Sequence, residues 1–166
     1  MEVGSYVSGK SLCLGETGII MGIISDFFVA DETDAFKYED LATSGDTLKL
    51  HEQFNPVQYN GYTDLELSTL WAILENQEWD LETHSLKKYS FGEDGETWLM
   101  SFPNSFRNML CDLNEEKFEL VTSEWVSTEE LNYHENDVSI RLVRDLIYLS
   151  KLSKKTNNPL FLWGSL

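Results

Sequence analysis

Basic residues are scarce in this sequence: 12 Lys and Arg stand against 29 Asp and Glu, a net charge of −17 over 166 residues. Such a field repels phosphate backbones and anionic lipid surfaces, so nucleic acid is not an expected partner. Cysteine is scarcer still, with only Cys13 and Cys111. Two cysteines make no disulfide framework, no C-x-x-C pair occurs, and a reducing, cytoplasmic setting is expected. Long apolar runs are absent, which excludes a conventional membrane-spanning helix and leaves no membrane partner expected. Met1 to Ile20 reads poorly as a signal peptide, because Glu2 and Lys10 interrupt it and no long apolar core follows.

What is present points to a packed core. Hydrophobic residues make up 42% of the chain, with five Trp, seven Tyr and nine Phe. That share is ordinary for a globular domain and argues against disorder. The length fits one domain. The charge is uneven: residues 141–166 hold five bases and one acid, leaving seven bases against 28 acids in residues 1–140.

The pattern predicts an α+β domain, mainly helical, with a small sheet. Ile23–Ala30 is a short apolar run with β-branched and aromatic residues, as in a buried strand. Asp31 is placed to cap a short helix reaching about Tyr38. Residues 41–58 show no clear period and read mostly as loop. Thr63-Asp64-Leu65-Glu66 is a capping box, and Leu67, Leu70, Trp71 and Leu74 follow at helical spacing. Tyr62 and Leu67 are placed as the staple that flanks such a box.

Residues 86–102 read as a hairpin around Gly92-Glu93-Asp94-Gly95-Glu96. Pro103 suits the first turn of the next helix, striped by Phe106, Met109, Leu110 and Leu113. Asn114 caps another helix, with Phe118, Val121, Thr122 and Trp125 on one face. Ser127-x-x-Glu130 repeats the capping pattern and predicts a break there. Asp137 caps a long last helix over about 138–155, and Asn157-Asn158-Pro159 ends it. Leu160–Trp163 is a final strand placed to pair with the one at 23–30. Residues 1–20 read as a loose extension before a single domain at 21–166.

Motifs with chemistry are sparse. Gly4, Gly9, Lys10 and Ser11 formally match a phosphate-loop pattern, yet only three residues precede Gly4, too few for the strand that should lead into it. No cofactor is expected. His51, His84 and His134 fit no ligand spacing, and His134-Glu135-Asn136-Asp137 is too contiguous to converge on one ion. Glu93-Asp94-Gly95-Glu96 lacks the calcium-loop pattern, so no metal is expected there either. Of the five tryptophans, Trp71 and Trp125 fall on apolar helix faces. Trp79 and Trp98 fall near loop ends and are the surface candidates. The candidate binding residues are therefore Glu78, Trp79 and Asp80 on one loop, and Glu93, Asp94 and Glu96 with Trp98 at the hairpin.

Met21–Ala30, Leu65–Leu74 and Leu162–Leu166 resemble a family of small acidic bacterial proteins with no assigned function, over about residues 21–166. The resemblance implies no catalytic residues. Two functions follow as expectations. The first is a non-enzymatic binding protein, of the inhibitor or immunity type, that offers its acidic surface to a basic partner. The alternative is a small enzyme of hydrolytic type that uses carboxylates near Trp79 or the 93–96 loop.

Overall fold

The computed structural model describes residues 22–166. The extension expected at residues 1–20 and the phosphate-loop match lie outside them. Five strands form one sheet: β1 (Ile24–Val29), β2 (Val57–Asn60), β3 (Lys87–Phe91), β4 (Thr97–Ser101) and β5 (Leu160–Ser165). Their order is β2-β1-β5-β4-β3, and every neighbouring pair is antiparallel. The expected pairing of the first and last strands is present, with Phe27 opposite Leu162. Six helices accompany the sheet: α1 (Glu32–Ser44), α2 (Thr47–Phe54), α3 (Asp64–Glu75), α4 (Asn104–Cys111), α5 (Glu115–Trp125) and α6 (Asn136–Thr156). The fold is α+β and mainly helical.

Side-chain alternation explains the layering. Phe27, Met100, Leu160 and Leu162 join a core with residues of α3, α4, α5 and α6. Phe28, Leu99, Phe161 and Trp163 join a second core with Ala35 and Tyr38 of α1 and Leu50 of α2. The sheet is thus covered on both faces. Central β5 reads as an unbroken apolar run because both of its faces are buried.

Caps set most boundaries. The Asp31 carboxylate accepts the Asp34 N–H at 2.8 Å. The Thr63–Glu66 capping box is complete, with the Thr63 N–H donating to Glu66 Oε2 at 2.7 Å. Asn114 caps α5, and Asn157 ends α6 in the left-handed conformation.

Several expectations need correction. Residues 41–58 are not mostly loop. Helix α1 runs on to Ser44 and stops at Gly45, whose φ is 76°. Asp46 then caps α2 by accepting the Lys49 N–H, and Asn55 ends it at φ 44°. This helix buries only Leu50, and β2 buries only Tyr59, so neither leaves a periodic signal. Asp137 is not a cap: Glu135 occupies that position without a side-chain bond, and Asp137 lies in the first turn of α6. Pro103 occupies the cap position of α4 rather than its first turn. The chain does break after Trp125. However, the Ser127 hydroxyl donates backwards to the Ser123 and Glu124 carbonyls, and only a short 3-10 turn at Glu129–Leu131 follows. Cys111 is half-buried, and burial pushes its thiol above the usual range. Among the described residues no helix is long and apolar enough to cross a membrane.

Candidate functional site

The structure separates the two groups of candidate binding residues. Glu78, Trp79 and Asp80 lie on the loop between α3 and β3, next to the Lys87 end of β3. Glu93, Asp94 and Glu96 lie in the turn after Phe91, at its other end. Twelve residues, Leu81 to Gly92, stand between the groups in the chain, and the five of β3 alone span roughly 15 Å. They form no joint site.

The hairpin turn has a local explanation. The Asp94 carboxylate accepts the Glu96 N–H at 3.0 Å, and Gly95 takes φ 76°. Both are ordinary features of a tight turn. Trp98 is not a surface residue. It is only 8% exposed and packs into the helical core, directly opposite Gly164 of β5. Its place near a loop end concealed the strand alternation that points it inward.

The 76–86 loop is more built. Helix α3 ends at Asn76 in the left-handed conformation. The Trp79 indole N–H then donates to Ser68 Oγ at 2.7 Å, tying the loop back to the helix. Asp80 and His84 clasp each other. The His84 N–H donates to the Asp80 carbonyl at 2.8 Å, and the Asp80 N–H donates to His84 Nδ1 at 3.0 Å. Nδ1 therefore acts as an acceptor, so the hydrogen sits on Nε2, which donates to Glu75 Oε2 at 3.1 Å. The other Glu75 oxygen accepts the Trp71 indole N–H at 3.0 Å. Asp80 Oδ1 accepts from both the Thr83 N–H and hydroxyl at 2.9 Å, and these bonds hold its carboxyl below the usual carboxylate range.

This bonding decides what the loop can do. His84 is 1% exposed and both ring nitrogens are committed, which leaves neither for a substrate proton. The clasp instead fixes a rigid loop. It presents Trp79, 42% exposed, and Leu81, 62% exposed, among the exposed acids Glu78, Asp80 and Glu82.

A carboxyl of unusual chemistry lies elsewhere. Asp26 sits in mid-β1 and is 2% exposed. It accepts the Tyr38 hydroxyl at 2.6 Å and the Gln58 amide at 3.0 Å, joining β1, α1 and β2. Burial pushes its carboxyl above the ordinary range, more than these bonds and the nearby His51 pull it down. The signal for it is an acid inside a strand whose other residues, Ser25 apart, are apolar. Tyr38 is held protonated by the same burial and by the Asp26 charge. With both oxygens bonded and solvent excluded, Asp26 works as an internal tie. The contribution of this carboxyl to stability is then lost as pH rises. The unfolded chain gives up this proton near about pH 3.9, whereas the folded chain holds it to higher pH. We expect Asp26→Asn to gain stability relative to the parent as pH goes from about 4 to 7, measured by urea unfolding. A difference that stays constant with pH would contradict this assignment.

No protein-family model, curated protein or solved structure matches the chain. The site is therefore read from its own geometry: a rigid, acidic loop with two exposed apolar side chains, on a sheet clad with helices on both faces.

Proposed function

We propose that this chain is a non-enzymatic binding protein, of the inhibitor or immunity type, that engages a basic protein through the 76–86 loop. The observation that carries the proposal is the Asp80–His84 clasp, which presents Trp79 and Leu81 between Glu78, Asp80 and Glu82. A pre-ordered loop loses little entropy on binding, and a half-exposed Trp is a favoured anchor. Surrounding carboxylates steer a basic partner and set its register. The net charge of −17 supports a basic protein partner over nucleic acid, and the cysteine content supports a cytoplasmic setting. The hydrolytic alternative gains nothing from Asp80, whose bonds to Thr83 hold its carboxyl more acidic, the opposite of a proton donor poised near neutrality.

The test is capture from native lysate at low and at high salt, with bound proteins identified by mass, then titration of the purified partner. We expect one basic protein, held more weakly at high salt. Trp79→Ala is expected to weaken it by about 2 kcal/mol, roughly 30-fold, and Leu81→Ala to weaken it less. Capture of no specific protein, or a partner indifferent to both substitutions, would overturn the proposal.

A further inference from the structure

Five of the twelve Lys and Arg residues of this acidic chain stand on one helix, α6. Along α6 the exposed residues Arg141, Arg144, Tyr148, Lys151 and Lys155 recur at steps of three and four, directly opposite the buried Leu142, Leu146 and Leu149. That spacing makes one continuous outward row. Neighbouring α5 carries the complementary row. Glu116, Leu120 and Glu124 make one exposed ridge there at steps of four, beside exposed Glu115 and Glu119, and Lys117 is the one base on the helix. The helices are joined where Arg144 lies 4.1 Å over the Phe118 ring and pairs with Glu115 at 3.3 Å. Between them runs a groove of about 280 Å³, whose apolar lining includes Leu113, Ile147 and Tyr148.

Each row has a large apolar side chain at its middle. Leu120 is 67% exposed and Tyr148 is 64% exposed, though both stand on regular helices. An acidic row and a basic row side by side form a self-complementary patch. Two-fold symmetry needs such a patch, since it sets each α5 against the partner's α6. We propose that this face binds a second copy of the chain, as a two-fold dimer in which α5 of each copy lies on α6 of the other.

The charges favour this occupant over a nucleic acid, because −17 overall opposes phosphate while a second copy offers each row its opposite. At physiological salt the Debye length of about 8 Å confines the repulsion between like-charged bodies, and the contacting rows dominate. The footprint is modest. Helices of 11 and 21 residues, side by side, cover roughly 500 Å² per copy, at the low end for a specific interface. The dimer is therefore concentration-dependent. None of these residues belongs to the 76–86 loop.

Sedimentation of the full chain over a concentration series at physiological salt tests this with charge swaps at exposed positions. One variant carries Lys151→Glu and Lys155→Glu, and the other Glu116→Lys and Glu119→Lys. In a homodimer of either, like charges meet at both contacts. In the mixed dimer every contact is again between opposites. We expect the parent chain to dimerise with rising concentration, each variant alone to stay monomeric at concentrations where the parent is dimeric, and their equimolar mixture to recover the dimer. Circular dichroism confirms that both variants are folded. A parent that stays monomeric at millimolar concentration overturns the proposal. So does a dimer indifferent to the swaps, or a mixture that does not recover it.

Discussion

Trp125→Ala is expected to destabilise the fold by about 4 kcal/mol, which lowers the midpoint of thermal unfolding by roughly 8–16 °C for a chain of this size. Trp125 is fully buried at the end of α5. Its ring centroid lies 6.2 Å from that of Tyr62, the residue before the Thr63 cap of α3. Its indole N–H donates to the Glu66 carbonyl at 2.9 Å and lies 3.3 Å from Thr69 Oγ1. One side chain therefore fixes α5 against the first turns of α3. Truncation removes the transfer energy of a large apolar group and leaves a cavity that two helices cannot close. The carbonyl is not orphaned, because the Thr69 hydroxyl also donates to it, at 2.8 Å. The loss should accordingly come from packing, and Trp125→Phe, which restores much of the volume without the N–H, should recover most of it. Urea unfolding of both variants is the check. An alanine variant within about 1 kcal/mol of the parent would mean that the α3–α5 contact is loosely packed.

The parts of the fold that were legible in the sequence are those where a cap and a stripe coincide. Thr63 with Glu66, followed by Leu67, Leu70 and Trp71, specifies α3 from purely local bonds and one periodic face. The α2–β2 segment was opaque for the same reason. Its caps, Asp46 and Asn55, are clear in the structure, but with Leu50 alone buried there is no period to pair them with. Long-range contacts were less legible. The pairing of β1 with β5 follows from two short apolar runs bounded by turns, whereas β2 buries only Tyr59, whose hydroxyl donates to Asp145 of α6 at 2.6 Å, and leaves no pattern to read.

The candidate site divides similarly. The acids and the Trp of the 76–86 loop were visible as residue types. The Asp80–His84 clasp that makes the loop rigid was not, since His84 matches no motif and its role comes from geometry alone. Asp26 is a polar residue in an apolar strand, and only its two partners, 12 and 32 residues away, give it a meaning. Trp98 was misplaced because proximity to a loop in sequence says nothing about which sheet face a side chain takes.

Gly164→Ala is expected to destabilise the protein by about 3 kcal/mol, and Gly164→Val by more. Strand propensity alone predicts the opposite sign, because glycine weakens a strand interior and alanine should improve it. The two arguments separate at Trp98. A Cβ built on Gly164 would stand 2.1 Å from Trp98 Cε2 and 2.2 Å from its Nε1, far inside van der Waals contact. The indole has little room to yield, being buried in the helical core and carried by β4, which pairs with β5 at this very position. Glycine is therefore the residue that lets the ring lie flat on the central strand. The coupling can be measured in a double-mutant cycle. With Trp98→Leu in place the added methyl meets no ring, and Gly164→Ala should then cost little or even stabilise, giving an interaction energy of about 2 kcal/mol between the two sites. Additive effects would show that the strand, not the indole, demands glycine at 164.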